Sequence, residues 1–120
     1  IDGFIYFKPD GKTTEKAIVS VKGGKNVGVA MVRELKAIID REKAPIGVFI
    51  ALAEPTSEMK KEAAAAGLYD CGHAAKYPKI QLFTIEELFA GKKPNIPLVD
   101  PTAAFKKAAK EERGKQGKLL

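Results

Sequence analysis

The sequence predicts an α/β fold, a mixed β-sheet of about four strands flanked by helices. Three observations predict it. Two strand-like runs flank a proline-glycine turn near the start, the pattern of an antiparallel hairpin. The nearly continuous apolar run IGVFIAL, at 46–52, fits a central strand buried on both faces and paired in parallel. Segments of helical period then alternate with strand-like runs, and β-α-β-α-β order implies right-handed crossovers.

In chain order, GFIYFK at 3–8 is aromatic and β-branched, and KPDGK supplies Pro9, Asp10 and Gly11 for the turn. The return strand spans 16–22, with Ile18, Val19 and Val21. After Gly23-Gly24, Asn26 is a plausible N-cap for a helix ending near Lys43, just before Ala44-Pro45. Val27, Met31, Leu35, Ile38 and Ile39 give that helix an apolar face, with Arg33, Lys36, Asp40 and Arg41 largely opposite. A second helix is predicted from Thr56 to Ala66, with Thr56 as cap, Glu58 in the first turn and Gly67 in the left-handed position that ends it. LYDCGHAAKYP reads as a loop leading to a short strand at 79–83, and Thr84-Ile85-Glu86-Glu87 reads as a capping box opening a short helix that ends at Gly91. KKPNIPLVDP holds three of the seven prolines and reads as an extended exit. Residues 102–116 have helical composition without a clear apolar stripe. A single domain at 1–98 with a basic tail at 99–120 is the expected organisation.

Composition narrows the class. With 120 residues, 45% hydrophobic and 30% charged, the chain suits one soluble core. No apolar run approaches ~18 residues, so no membrane partner is expected. No signal peptide is evident, and Cys71, the only cysteine, rules out an internal disulfide and suits a cytoplasmic setting. The chain opens without an initiator Met inside a strand-like run, which reads as a fragment of a longer protein. The net charge of +6 is uneven: residues 101–120 carry six Lys/Arg against two Glu, leaving +2 on the first hundred. A basic tail favours polyanions without conferring sequence specificity, and a solvated helix accounts for it equally well.

Candidate chemistry gathers at one end of the hairpin. Ser20 and Lys22 are two apart and share a strand face, opposite Val19 and Val21. Pairing 3–8 with 16–22 brings Asp2 beside residues 22–23. An acid, a lysine, a glycine turn and a helix start then meet, as a phosphate or metal site requires. A salt bridge closing the hairpin explains the same residues.

The string IDGFIYF … AIVSVKGGKNVGVAMVREL … GVFIAL … AAAAG … IQLFTIEEL resembles the restriction-endonuclease-like domain of the Mrr type, in the PD-(D/E)xK superfamily. More narrowly, it is similar to the version attached to DNA methyltransferases of restriction-modification systems. The resemblance covers roughly residues 1–92 and centres on Ile1-Asp2-Gly3 and Ser20-Val21-Lys22. It implies that Asp2 binds a divalent metal, magnesium, with the Val21 carbonyl as a further ligand, and that Lys22 activates water or stabilises the charge developing on a DNA phosphodiester. DNA is the implied partner, with a methyltransferase domain in the same polypeptide and a homodimer as further possibilities.

Two features depart from the family pattern. Ser20 stands where a second acid or Gln is usual, and a hydroxyl is a poor magnesium ligand. Some members of the superfamily recruit a glutamate from the following helix instead, which nominates Glu34, with Glu15 a weaker candidate. The usual upstream helix and glycine-rich lead-in to Asp2 are also missing. The expectation is therefore a magnesium-dependent endonuclease with Asp2, Ser20, Lys22 and Glu34 at its centre, the alternative an inactive nuclease-fold module for DNA binding or protein interaction. A small-molecule phosphate binder on the same sheet end ranks far behind.

The remaining candidates are lesser. Gly24, Lys25 and Asn26 are candidate DNA phosphate contacts, although GGKN lacks the Walker A pattern and a plain turn explains it equally well. Cys71-Gly72-His73 offers two soft ligands and no others to complete a zinc site, so it reads as loop. Tyr6, Phe7 and Tyr69 have the faces to stack on bases, but such aromatics are more often core.

Overall fold

A computed structural model describes residues 1–72 and 75–97. His73, the segment 102–116 with its helical composition and the basic tail lie outside the described residues.

The elements are β1 (Gly3–Phe7), β2 (Glu15–Lys22), α1 (Val29–Glu42), β3 (Ile46–Ala51), α2 (Ser57–Ala65), β4 (Leu68–Asp70), β5 (Lys76–Pro78), β6 (Ile80–Thr84) and α3 (Ile85–Phe89). The main sheet has the order β1-β2-β3-β6. β1 and β2 are antiparallel, whereas β2–β3 and β3–β6 are parallel, as the sequence predicts. β3 lies between β2 and β6, which is why its sequence is apolar almost throughout.

Alternation along the strands divides the core in two. Ile18, Phe49, Ala51 and Ile80 face α1 and α2, where they bury Val32, Leu35, Ile39, Met59 and Ala63. Ala17, Ile46, Val48 and Phe83 point the other way with Phe7, against Tyr69, Tyr77, Leu88 and Ile96. Among the described residues this second face is covered by β4–β5, the short α3 and the exit segment, so one of its covering elements there is a helix. The β4–β5 hairpin, with Tyr69 opposite Tyr77, replaces most of the expected loop.

Local chemistry sets the element ends. In the β1–β2 turn, Asp10 Oδ1 accepts from the N–H groups of Lys12 at 2.8 Å and Thr13 at 2.7 Å. Gly11 takes the positive φ of 75° that this turn requires. Thr56 caps α2 by accepting from the Met59 N–H at 3.2 Å. Thr84 and Glu87 form the reciprocal capping box of α3.

α1 differs from expectation at its start. The helix begins only after Gly28 (φ −156°), which is extended, is the N-cap and makes no side-chain cap bond. Asn26 therefore lies outside the helix and does not cap it. The C-terminus falls where predicted, with Lys43 in the left-handed conformation.

The capping box carries a pH dependence. Glu87 is held below its ordinary pKa mainly by its bond to Lys92, 2.9 Å away, and next by the Thr84 N–H. Because the folded state depresses this pKa, the stabilisation is present above the ordinary carboxylate range and is lost as pH falls through the folded value. Hydrogen exchange at the Thr84 amide is expected to lose protection across that window. Thr84→Ala should cost about 1 kcal/mol in chemical denaturation.

Candidate functional site

All three parallel strands end on one side of the sheet, and α1, α2 and α3 each begin there. Ligands of open α/β sheets bind outside the carboxyl ends of such strands. Asp2, Ser20, Lys22 and the 23–28 connection also lie at this end.

The hairpin register differs by about two residues from the one expected at this end. Phe7 faces Glu15 and Gly3 faces Val19, so Asp2 falls beside residues 19–21 instead of 22–23. Its N–H donates to the Val19 carbonyl at 2.9 Å, and its Oδ2 accepts from the Val21 N–H at 2.8 Å. The carboxylate thus closes the ladder through backbone. No Asp2–Lys22 ion pair forms among the described residues.

Ser20 and Lys22 are partly buried and alternate with Val19 and Val21, on the sheet face that carries Ile18 and α1. Lys22 pairs in register with Ala51, and its carbonyl accepts from the Leu52 N–H at 3.4 Å.

Glu34 does not join this group. At about 100° per residue it lies roughly 100–160° around α1 from Val32, Leu35 and Ile39, the residues the helix buries. It is exposed on the solvent side, one position after Arg33, which pairs with Glu62 of α2 at 3.1 Å. Glu15 starts the strand that Lys22 ends, seven residues or roughly 23 Å away.

These donors do not fit a catalytic magnesium ion. Magnesium requires near-octahedral oxygen ligands anchored by carboxylates. Among the described residues no three His, Cys, Asp or Glu side chains converge to hold a metal. The Asp2 oxygen is engaged by Val21, a hydroxyl stands at position 20, and Glu34 faces away. Cys71 is half-buried, its Sγ donating to the Ala75 carbonyl at 3.6 Å.

The start of α1 is the feature that sequence reasoning undervalued. α2 begins with a Thr56 side-chain cap and Glu58 in its first turn, and α3 with its capping box plus Glu86 and Glu87. α1 has neither a side-chain cap nor an acid in its first turn. Neither a capping side chain nor a first-turn acid therefore offsets the positive end of its dipole. Gly24, Lys25 and Asn26, just before it, are all exposed, with Lys22 at the end of the preceding strand. The acid-free first turn was readable in the sequence; the missing cap was not, because Asn26 reads as one.

The suspected aromatics separate. Phe7 is buried and meets Tyr69 edge-on, with ring centroids 6.4 Å apart, whereas Tyr6 is exposed. The groove between α1 and α2 is lined by Val29, Arg33, Glu58, Lys61, Glu62 and Ala65, and none of Asp2, Ser20 or Lys22 reaches it. No helix among the described residues is long and apolar enough to cross a membrane.

Comparison with known proteins agrees with this incomplete site. The profile of a family described as NACHT-associated inactive Restriction Endonuclease 1 matches residues 1–90. No curated protein and no solved structure gives a significant match. The family's description as inactive overturns the expectation of a magnesium-dependent endonuclease, and the physical reason is the donor set above. The restriction-endonuclease-like resemblance stands. The chain belongs to the NACHT-associated inactive Restriction Endonuclease 1 family.

Proposed function

We propose that this domain is a catalytically silent nuclease-fold module that holds DNA by its phosphates. The observation that supports this most is the uncapped, acid-free start of α1, with Lys22 and Lys25 leading into it. Backbone N–H groups at a helix start together with flexible cations make a phosphate contact without a metal. Lys22 keeps its charge beside a donor set that does not fit a metal. Gly24 and Asn26 complete the approach, small and polar beside the strand end. The segment 101–120 adds further positive charge to the chain. The family description names a NACHT association where the sequence suggested a methyltransferase, so we place the domain beside a NACHT module in the cytoplasm.

Fluorescence anisotropy with a short duplex, titrated at several salt concentrations, tests the reading. Lys22→Glu and Lys25→Glu should each weaken binding and lower the salt slope by about 1, uniformly across DNA sequences. Unchanged affinity and slope in both variants would remove the α1 start from the interface. An absence of DNA binding in the full chain would refute the proposal.

A further inference from the structure

β1 is an edge strand, and among the described residues no strand pairs with its outer side. Soluble proteins usually guard such an edge with a central lysine, a proline or a bulge. The centre of β1, Phe4-Ile5-Tyr6, has none of these. Phe4 and Tyr6 are 43% and 63% exposed, and their rings lie 6.0 Å apart on the face that β1 shares with Ile18. The ammonium of Lys16 sits 4.9 Å from the Phe4 centroid.

The residues from Asp2 to Lys8, DGFIYFK, are chemically self-complementary about Ile5. When two copies of this strand run antiparallel with Ile5 opposite Ile5, Phe4 faces Tyr6 of the other copy and Asp2 faces its Lys8. Both aromatic pairs and both ion pairs fall on the same sheet face, because positions two apart share a face. Opposite charges and paired aromatics directly across a ladder are each favourable. Gly3 falls opposite Phe7 of the other copy, where the absent side chain leaves room. Lys8 is exposed and makes no ion pair among the described residues. The two copies of β2 would lie roughly 14 Å apart, three strand spacings, which leaves the four aromatic rings a trough between the helices of the two copies.

We propose that two copies of this domain associate through β1, forming a continuous eight-stranded sheet centred on Ile5. The occupant of the edge is a second copy, since the charges bracketing β1 are opposite in sign and placed symmetrically about its centre. A contact confined to one strand edge is small for a protein interface, so the dissociation constant should be of the order of 10–100 µM.

Sedimentation velocity of the full 120-residue chain without DNA, from about 1 to 500 µM, tests this. A monomer–dimer equilibrium is expected. Lys8→Glu, which sets two acids opposite each other twice, should weaken it about tenfold, and Asp2→Lys combined with Lys8→Glu should restore it. Tyr6→Glu, at an exposed position independent of Asp2, should weaken it at least about tenfold. Circular dichroism establishes that each variant is folded. A monomer at every concentration overturns the proposal. So does a dimer that tolerates Tyr6→Glu, or a folded double variant that fails to recover.

Discussion

Replacing Gly47 by valine is expected to destabilise the domain by about 3 kcal/mol, measured by urea unfolding. Gly47 lies in the central strand, paired with Ile18 on one side and Ile80 on the other. α1 crosses it closely. A Cβ added there would lie 3.0 Å from Ile39 Cγ2 and 3.1 Å from Leu35 Cγ. Both neighbours are almost fully buried, so neither moves without disturbing further contacts. Valine adds two methyl groups beyond that Cβ, and the helix must shift to admit them. Gly47→Ala calibrates the effect: alanine gains roughly 0.5–1 kcal/mol from reduced backbone freedom, which offsets part of the crowding. Valine far worse than alanine would locate the cost in helix–sheet contact. Equal and small effects would mean that α1 does not approach β3 this closely.

Gln81→Leu is expected to cost about 2 kcal/mol and to release the exit segment. The Gln81 side chain is almost fully buried. Its Nε2 donates to the carbonyls of Pro78 at 3.1 Å and Asn95 at 2.8 Å, and its Oε1 accepts from the Asn95 N–H at 2.7 Å. One amide thus pairs with both backbone groups of Asn95, as a neighbouring strand would, and holds Ile96 against the second core. Leucine preserves bulk but leaves those backbone groups unpaired. Hydrogen exchange at Asn95 should accelerate in the variant while the β3–β6 amides stay protected under native conditions. Unchanged exchange at Asn95 would show that Gln81 does not anchor the segment.

Much of this fold was legible in the sequence, and for physical reasons. The apolar run at 46–52 marked the central strand because both its faces are buried. Thr56, Thr84 and Glu87 announced their helices because caps are local chemistry. The β4–β5 hairpin was missed because each strand has three residues and one inward tyrosine, too little for a period to show. Asn26 was misread because a favourable capping residue cannot signal that the N-cap falls two positions later, at Gly28.

The site was legible in its parts more than in its assembly. Ser20 was the readable sign of lost catalysis, since the residue type alone disfavours magnesium. The engagement of Asp2 depended on a hairpin register fixed by where the turn closes, which the turn sequence left open by about two residues. The direction of Glu34 followed from helix phase once Leu35 and Ile39 were seen to be buried. The self-complementarity of DGFIYFK was present in the string but acquires meaning only because β1 is an edge.

The most direct test is a nicking assay on supercoiled plasmid DNA with the full chain, in magnesium and in manganese, beside Lys22→Ala. The incomplete donor set predicts no metal-dependent cleavage above background, and no difference between the two proteins. Cleavage that requires the metal and disappears in Lys22→Ala would contradict the account, showing that Asp2, Ser20 and Lys22 still assemble a working centre.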